Sequence, residues 1–162
     1  VWESRDLPRA EWTPAGPSSY ELLYRSGVGL TPRPLRRIAS GGELSRVMLA
    51  SKVVLGNADG VDTLVFDEVD AGVGGSTARA LAGVLADLAA THQVIVVTHL
   101  AQVAVMADKH YVVSKEPGDV PQTHLDEVTG EARTAEIARM LSGDQSEASL
   151  AHAKQMLEEV RG

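Results

Sequence analysis

The sequence predicts an α/β fold in which a layered, mainly parallel sheet is flanked by helices. Two short apolar runs, Thr63–Phe66 and residues 93–97, have the length and composition of strands that are covered on both faces. Apolar residues at helical spacing lie before, between and after these runs. Because helices and strands alternate, right-handed crossovers would make the strands parallel, and such sheets bind ligands at the carboxyl ends of their strands.

Length and composition indicate one globular unit with an acidic balance. The 162 residues are 44% apolar and carry a formal charge of −7, and a chain of this length can bury a sizeable core. The basic residues are scattered, so this segment by itself is not expected to bind nucleic acid strongly. Their densest group is Arg33, Arg36, Arg37 and Arg46.

The sequence also predicts the cellular compartment. Cysteine is absent, which excludes disulfides and cysteine-ligated zinc and fits a reducing cytoplasm. No apolar run approaches the ~20 residues that span a membrane, and no signal peptide is present, so no membrane association is expected. The first residue is Val1 rather than Met, which indicates a fragment or an excised domain.

The first element is an N-terminal edge strand followed by a proline-rich loop, over residues 1–19. The main lobe is predicted to be residues 20–162. It begins with a strand at 20–24, which ends at the glycine turn 26–29. That turn lacks the Lys-Ser or Lys-Thr of a phosphate-binding loop.

Two helices are predicted around the first buried strand. Residues 44–55 have a helical apolar period that ends at Gly56. A glycine-rich loop follows the strand at 71–75, and Ser76 is expected to cap the next helix. The apolar stripe of that second helix is Leu81, Val84, Leu85 and Leu88.

The second half of the chain is predicted to contain a hairpin and three further helices. Thr98 would cap a short helix at 100–107, and a strand at 111–114 would pair across a turn at 116–120 with an edge strand, Gln122–Val128. Thr134 is expected to open the next helix, and Ser146 the last one. Their apolar positions are Ile137, Met140 and Leu141, then Leu150, Ala153, Leu157 and Val160.

The first candidate site is the helix start at residues 40–43. Ser40 and Glu43 have the spacing of a capping box. A capping box does not explain Gly41 and Gly42, each of which costs a helix about 1 kcal/mol relative to Ala. Close approach of the backbone to a phosphate does explain them, because bare N–H groups and the helix dipole attract anions there. Both interpretations remain open on this pattern alone.

The second candidate is the acidic end of the first buried strand. Asp67 and Glu68 either belong to a solvated turn or form part of a site. In a site, one carboxylate would bind Mg²⁺, directly or through water, and its neighbour would deprotonate an attacking water. Asp70 adds a third carboxylate, and three acids so close repel one another unless a cation or fixed dipoles lie nearby.

The third candidate is His99, which follows the second buried strand. A lone histidine in such a place is more often structural, and the five histidines show no metal-ligand spacing. The order of the motifs is more specific than any one of them. The glycine-rich helix start is followed about 25 residues later by Asp67-Glu68, and about 30 residues after that by Thr98-His99.

Together these motifs resemble those of ATP-binding-cassette ATPases. Residues 40–43 resemble the signature motif, 64–68 the Walker B strand, 69–72 the D-loop, and Thr98-His99 the switch histidine. Within that superfamily, residues 39–46, 66–75, 97–104 and 136–141 resemble the RecN family, the bacterial double-strand-break repair ATPases of the SMC-like group. The resemblance runs from about Tyr20 to the end, and Ala101 departs from it where a proline is common.

The resemblance implies a role for each site residue. Asp67 would hold Mg²⁺ through water, Glu68 would be the general base for ATP hydrolysis, and His99 would contact the γ-phosphate. The signature residues would contact the γ-phosphate bound to the opposite subunit of a homodimer, and Asp70 would link the two sites. The signature residues in question are Ser40, Gly41, Gly42 and Glu43.

One motif of the family is absent from the chain. No G-x-x-x-x-G-K-[ST] sequence occurs, so the Walker A loop would come from an N-terminal lobe of the same protein. The chain then resembles the C-terminal lobe of a P-loop-NTPase-like head, which would reach DNA through the full-length protein at the nucleoid. Two alternatives are a non-catalytic dimerisation or clamp module, and the head lobe of another SMC-like or Rad50-like protein.

Overall fold

The computed structural model describes residues 1–37, 40–116 and 121–161. Ile38 and Ala39 of the first motif, and residues 117–120 of the predicted turn, lie outside these ranges. The described residues form three small sheets and five α-helices. The strands are β1 (Trp2–Asp6), β2 (Ser18–Tyr24), β3 (Arg33–Pro34), β4 (Thr63–Phe66), β5 (Gln93–Val96), β6 (His110–Glu116) and β7 (Gln122–Val128). The helices are α1 (Gly41–Leu55), α2 (Gly75–Ala89), α3 (Ala101–Ala104), α4 (Gly130–Ser142) and α5 (Glu147–Arg161).

The two buried runs of the sequence form the parallel pair β4 and β5. Their register runs from Thr63 opposite Gln93 to Phe66 opposite Val96, and α2 connects the two strands. The predicted αβ unit is therefore present. Since both strands point the same way, the residues that follow Phe66 and Val96 meet at one edge of the sheet.

Parallel pairing in the described part of the chain is confined to β4 and β5. The strand β6 pairs with β7 in an antiparallel hairpin rather than extending the parallel sheet, and β1, β2 and β3 form an antiparallel sheet. The sheet content is thus less parallel than the alternating pattern predicts. A hairpin closes a short loop, and that costs less chain entropy than recruiting β6 to a distant strand.

Among the described residues, the core consists of two apolar clusters. The first cluster lies between the β4–β5 pair and the buried sides of α1 and α2, and it includes the predicted positions Leu81, Leu85 and Leu88. Val84, predicted on the same stripe, is 38% exposed. The second cluster joins α3, α4 and α5. Its buried members are Ala101, Ala104, Val105, Ile137, Ala138, Ala153 and Leu157.

Three of the five predicted helix starts differ from the sequence expectation. Helix α2 begins at Gly75, with Gly74 rather than Ser76 at the capping position, where glycine is tolerated. Helix α4 begins at Gly130, so that Thr134 lies inside it and donates from Oγ1 to the Gly130 carbonyl at 3.2 Å. Helix α3 has Leu100 at its capping position, and it is shorter than predicted. Ser40 and Ser146 precede α1 and α5 as expected.

The prediction that β4 and β5 are covered on both faces is wrong for this chain. Leu64 and Phe66 are buried, whereas Val65 is 66% exposed and its neighbours Ile95 and Val97 are 46% and 57% exposed. Alternate residues of a strand point to opposite faces, so the core covers one face of the pair and the other is open. None of the described helices has the length and apolarity of a membrane span.

Candidate functional site

The start of α1 is capped as the sequence predicts. Ser40 has an extended backbone, and its Oγ accepts a hydrogen bond from the Glu43 N–H at 3.4 Å. This is the Ser40 half of the capping box, and it fixes the first turn of the helix. That turn lies close to Glu68 and Ala71, which follow β4.

The first two turns of α1 are fastened to the segment that follows β4, which we call the acidic loop (residues 67–72). Ser45 donates from Oγ to the Asp67 carbonyl at 2.5 Å. Arg46 donates from Nη1 to the carbonyls of Val69 and Ala71, at 3.2 and 2.8 Å. No role was predicted for Ser45 or Arg46. They lie three and four residues after Gly42, and this spacing places all three on the side of α1 that faces the loop.

Gly41 and Gly42 are where the helix and the acidic loop come closest. A Cβ on Gly42 would lie 2.7 Å from Ala71 Cβ and 2.8 Å from the Glu68 carbonyl oxygen, and a Cβ on Gly41 would overlap Glu68 Oε2. The sequence pattern alone favours the approach of a ligand as the reason for these glycines. Close packing within the chain gives a second reason for them, which holds whether or not a ligand binds.

Asp67 and Glu68 are exposed at the end of β4. Glu68 has φ of 55°, and it is the one non-glycine residue in the described part of the chain with a left-handed backbone. A bulky side chain in that region is uncommon, and such strain is concentrated at functional sites. The Glu68 carboxylate is turned toward Gly41. The two acids therefore point away from the core, as the site interpretation requires.

Asp70 behaves differently from the other two acids. It is 2% exposed, and its Oδ2 accepts hydrogen bonds from Thr98 Oγ1 at 2.5 Å and from the His99 N–H at 3.1 Å. His99 Nδ1 lies 3.2 Å from the same oxygen. The sequence predicts Asp70 as a third carboxylate beside Asp67 and Glu68, and the family resemblance assigns it a link between the two sites of a dimer. In the structure, it joins the acidic loop to the end of β5.

The side chains at this edge offer few ligands for Mg²⁺. No group of three or more His, Cys, Asp or Glu side chains that would hold a metal ion occurs among the described residues. Mg²⁺ commonly uses one or two carboxylates and completes its shell with water and phosphate oxygens. Asp67 alone therefore fits an ion shared with a nucleotide, and does not fit a metal centre built from protein ligands only.

The chain is similar to known DNA repair proteins. It is 52% identical over 149 residues to DNA repair protein RecN of Deinococcus radiodurans and 51% identical over 146 residues to that of Treponema pallidum. These stretches make up 91% and 89% of the chain. The chain is a homologue of part of RecN. It spans about a quarter of the length of the RecN proteins that it matches, 26% in both cases.

A third RecN relative, that of Streptomyces coelicolor, is 48% identical over 150 residues. No protein-family model matches the chain. Among solved structures, the Smc head domain with a coiled coil and joint from Pyrococcus yayanosii superimposes with a TM-score of 0.56 at 20% identity. The match covers 99% of this chain and 26% of that one, and it concerns the fold alone. The predicted head-lobe fold class and the RecN resemblance are thereby confirmed.

Proposed function

We propose that this chain is the C-terminal lobe of the head of a DNA repair ATPase. The observation that carries the proposal is identity of about 50% to RecN over about 90% of the chain. The residues that would act on the nucleotide lie in segments that contact one another at one edge of the parallel pair. The contacts are those of Gly41 and Gly42 with the acidic loop, and of Asp70 with His99.

Within this function, each exposed site residue has a distinct task. Asp67 would hold Mg²⁺, which would supply charge stabilisation to the phosphates of ATP. Glu68 would accept a proton from the attacking water, and His99 would serve the γ-phosphate. The capped start of α1 offers N–H groups to a phosphate, and in a head homodimer that phosphate belongs to ATP on the opposite subunit.

The open apolar face of the β4–β5 pair favours an N-terminal lobe of the same protein as the first binding partner. Parallel sheets are ordinarily covered on both faces. Here Val65, Ile95 and Val97 are exposed, beside Leu44 and Met48 of α1, which are 42% and 48% exposed. A Walker A lobe of the same protein would cover this surface and supply the phosphate loop. The formal charge of −7 suggests that the principal DNA contacts lie elsewhere in the full-length protein.

The test of the proposal is Glu68→Gln in the full-length protein. The variant keeps the shape of the side chain and removes the base, so ATP binding should persist while turnover falls by at least about 100-fold, and dimers should accumulate. Glu116→Gln is the matched control, because Glu116 is exposed on the hairpin and its loss should leave turnover unchanged. Normal turnover in Glu68→Gln would refute the assigned base.

A second test uses the chain by itself. Without a Walker A loop, it should bind ATP poorly and hydrolyse essentially none. Adding the N-terminal lobe should restore binding, which titration calorimetry can measure. Robust hydrolysis by the isolated chain that Glu68→Gln abolishes would contradict the need for a second lobe.

A further inference from the structure

Asp70 is the most deeply buried carboxylate at the candidate site. Its side chain is 3% exposed, yet it receives donors from two consecutive residues, Thr98 and His99. A buried carboxylate is costly unless it is hydrogen-bonded, and here all three contacts converge on Oδ2. The Asp70 side chain therefore makes its hydrogen bonds within the chain. A role that requires it to reach across a dimer would first break these contacts.

The His99 ring lies with one nitrogen against this carboxylate. Nδ1 lies 3.2 Å from Asp70 Oδ2, while the side chain as a whole is 71% exposed. An ionised carboxylate only accepts hydrogen bonds, so a protonated Nδ1 at this distance is favoured over a bare Nδ1, whose lone pair the oxygen would repel. The ring as a whole stays open to solvent, and Nε2 is the nitrogen that does not face the carboxylate.

We propose that Asp70 is a positioning residue that holds His99 in the Nδ1–H tautomer and turns Nε2 outward. A carboxylate that binds one ring nitrogen fixes both the tautomer and the orientation of the imidazole. Thr98 steadies the arrangement, because its Oγ1 donates to Asp70 and accepts from the Leu100 N–H at 3.0 Å. The acidic loop and the end of β5 thus act as one unit.

The tautomer decides what His99 offers to a nucleotide, and this part rests on the proposed function. In the neutral ring of this tautomer, Nε2 is an acceptor. A phosphate oxygen is an acceptor as well, so a neutral His99 would reach the γ-phosphate through a donor between them. The attacking water is such a donor, and His99 would then help to orient it.

The tautomer is measured directly in the chain labelled with ¹⁵N-histidine, without nucleotide. Spectra are recorded at a pH above the usual range of histidine pKa values, and His99→Gln identifies the His99 signals among the five histidines. The expected result is a protonated Nδ1 and a bare Nε2. A wild-type His99 that is protonated on Nε2 overturns the proposal, whatever any variant does.

Three variants distinguish positioning of His99 by Asp70 from general support of the loop. Asp70→Ala should shift His99 toward the Nε2–H form, and Asp70→Asn, which keeps a weaker acceptor, should shift it less. Thr98→Val removes the other side-chain donor to Asp70 and should keep the Nδ1–H form. An Asp70→Ala spectrum with an unchanged tautomer, or an equal change in Thr98→Val, overturns the role of Asp70. Because no ATP is present, failure here is distinct from failure of the Glu68→Gln test.

Discussion

At the scale of single residues, the two glycines of the first motif are not equivalent. A Cβ on Gly41 would meet the end of a flexible carboxylate, whereas a Cβ on Gly42 would meet the backbone of Glu68 and the Cβ of Ala71. A flexible side chain can move aside at little cost, but a fastened loop cannot. The sequence shows two adjacent glycines and gives no sign of this difference, because it arises from the approach of a loop about 25 residues away.

Gly42→Ala is therefore expected to destabilise the chain by about 1–3 kcal/mol through overpacking. Gly41→Ala should cost less than Gly42→Ala. Gly83→Ala is the matched control, since Gly83 lies inside α2 with no atom within 4 Å of an added Cβ, and there alanine should stabilise by about 0.5–1 kcal/mol. Urea unfolding of the three variants measures the differences. A neutral Gly42→Ala would show that the contact with the acidic loop is loose.

Glu68 offers a second prediction at this scale, from its backbone. A left-handed φ costs a non-glycine residue roughly 1–2 kcal/mol, which Glu68→Gly would recover against a loss of about 0.5–1 kcal/mol from greater freedom in the unfolded chain. The free energy of unfolding should therefore stay equal or rise by up to about 1 kcal/mol. Asp67→Gly, one residue earlier and without a positive φ, should instead destabilise. Thermal unfolding of both variants checks this, and equal destabilisation would exclude strain at Glu68.

At the scale of elements, the sequence predicts local features well and contacts between elements poorly. The cap at Ser40, the strand Thr63–Phe66 and the apolar stripe of α5 depend on neighbours in sequence, and the structure has them, except that Val160 of the stripe is 40% exposed. The burial of Asp70 depends on the β4–β5 register, which brings Thr98 and His99 beside it. No local pattern distinguishes such an acid from its exposed neighbours Asp67 and Glu68.

Arg133 shows how one side chain connects two helices. It extends from α4 and donates from Nη2 to the carbonyls of Ala104, Val105 and Ala107, at 3.2, 3.2 and 2.6 Å, at the end of α3. Arg133→Gln should cost about 1.5–3 kcal/mol, because hydrogen bonds from a charged group are lost. The control Arg36→Gln removes a more exposed ion pair with Glu21 and should cost less than about 1 kcal/mol. Chemical unfolding that ranks the two variants equally would contradict this account.

The connection between α4 and α5 predicts a dependence on pH. Hydrogen bonds from Ser149, Ser146 and Ser142 lower the pKa of Asp144 from 3.8 to about 2. A lowered folded-state pKa means that the contribution of Asp144 to stability is present above pH 4 and is lost as the pH falls toward 2. The ¹³C shift of the carboxyl group should titrate with a midpoint near 2. In the Ser149→Ala variant the midpoint should move up, and an unchanged midpoint would exclude Ser149 as the main cause.

At the scale of the whole molecule, the open face of β4 and β5 is the feature that the sequence could not reveal. A continuous apolar run predicts a strand that is covered on both faces. The run has the same composition whether the element that packs on the second face belongs to this chain or to another part of the protein. The structure covers the face of Leu64 and Phe66 and leaves that of Val65 and Ile95 exposed. The chain spans about a quarter of the length of the RecN proteins it resembles. Another part of such a protein could therefore pack on the open face.

The last prediction follows from that open face. The triple variant Val65→Thr, Ile95→Thr and Val97→Thr keeps the shape of the strands nearly unchanged and makes the face polar. Exposed apolar surface of this kind promotes association. The isolated variant should therefore associate less with itself than the parent chain does, as measured by sedimentation velocity. It should also bind a separately produced N-terminal lobe at least about 10-fold more weakly, since each buried methyl contributes roughly 0.8 kcal/mol.

Val113→Thr with Leu125→Thr is the control, because these residues are 63% and 65% exposed on the β6–β7 hairpin, outside the open face. Equal weakening by both sets of substitutions would mean that the lobe does not dock on the β4–β5 face.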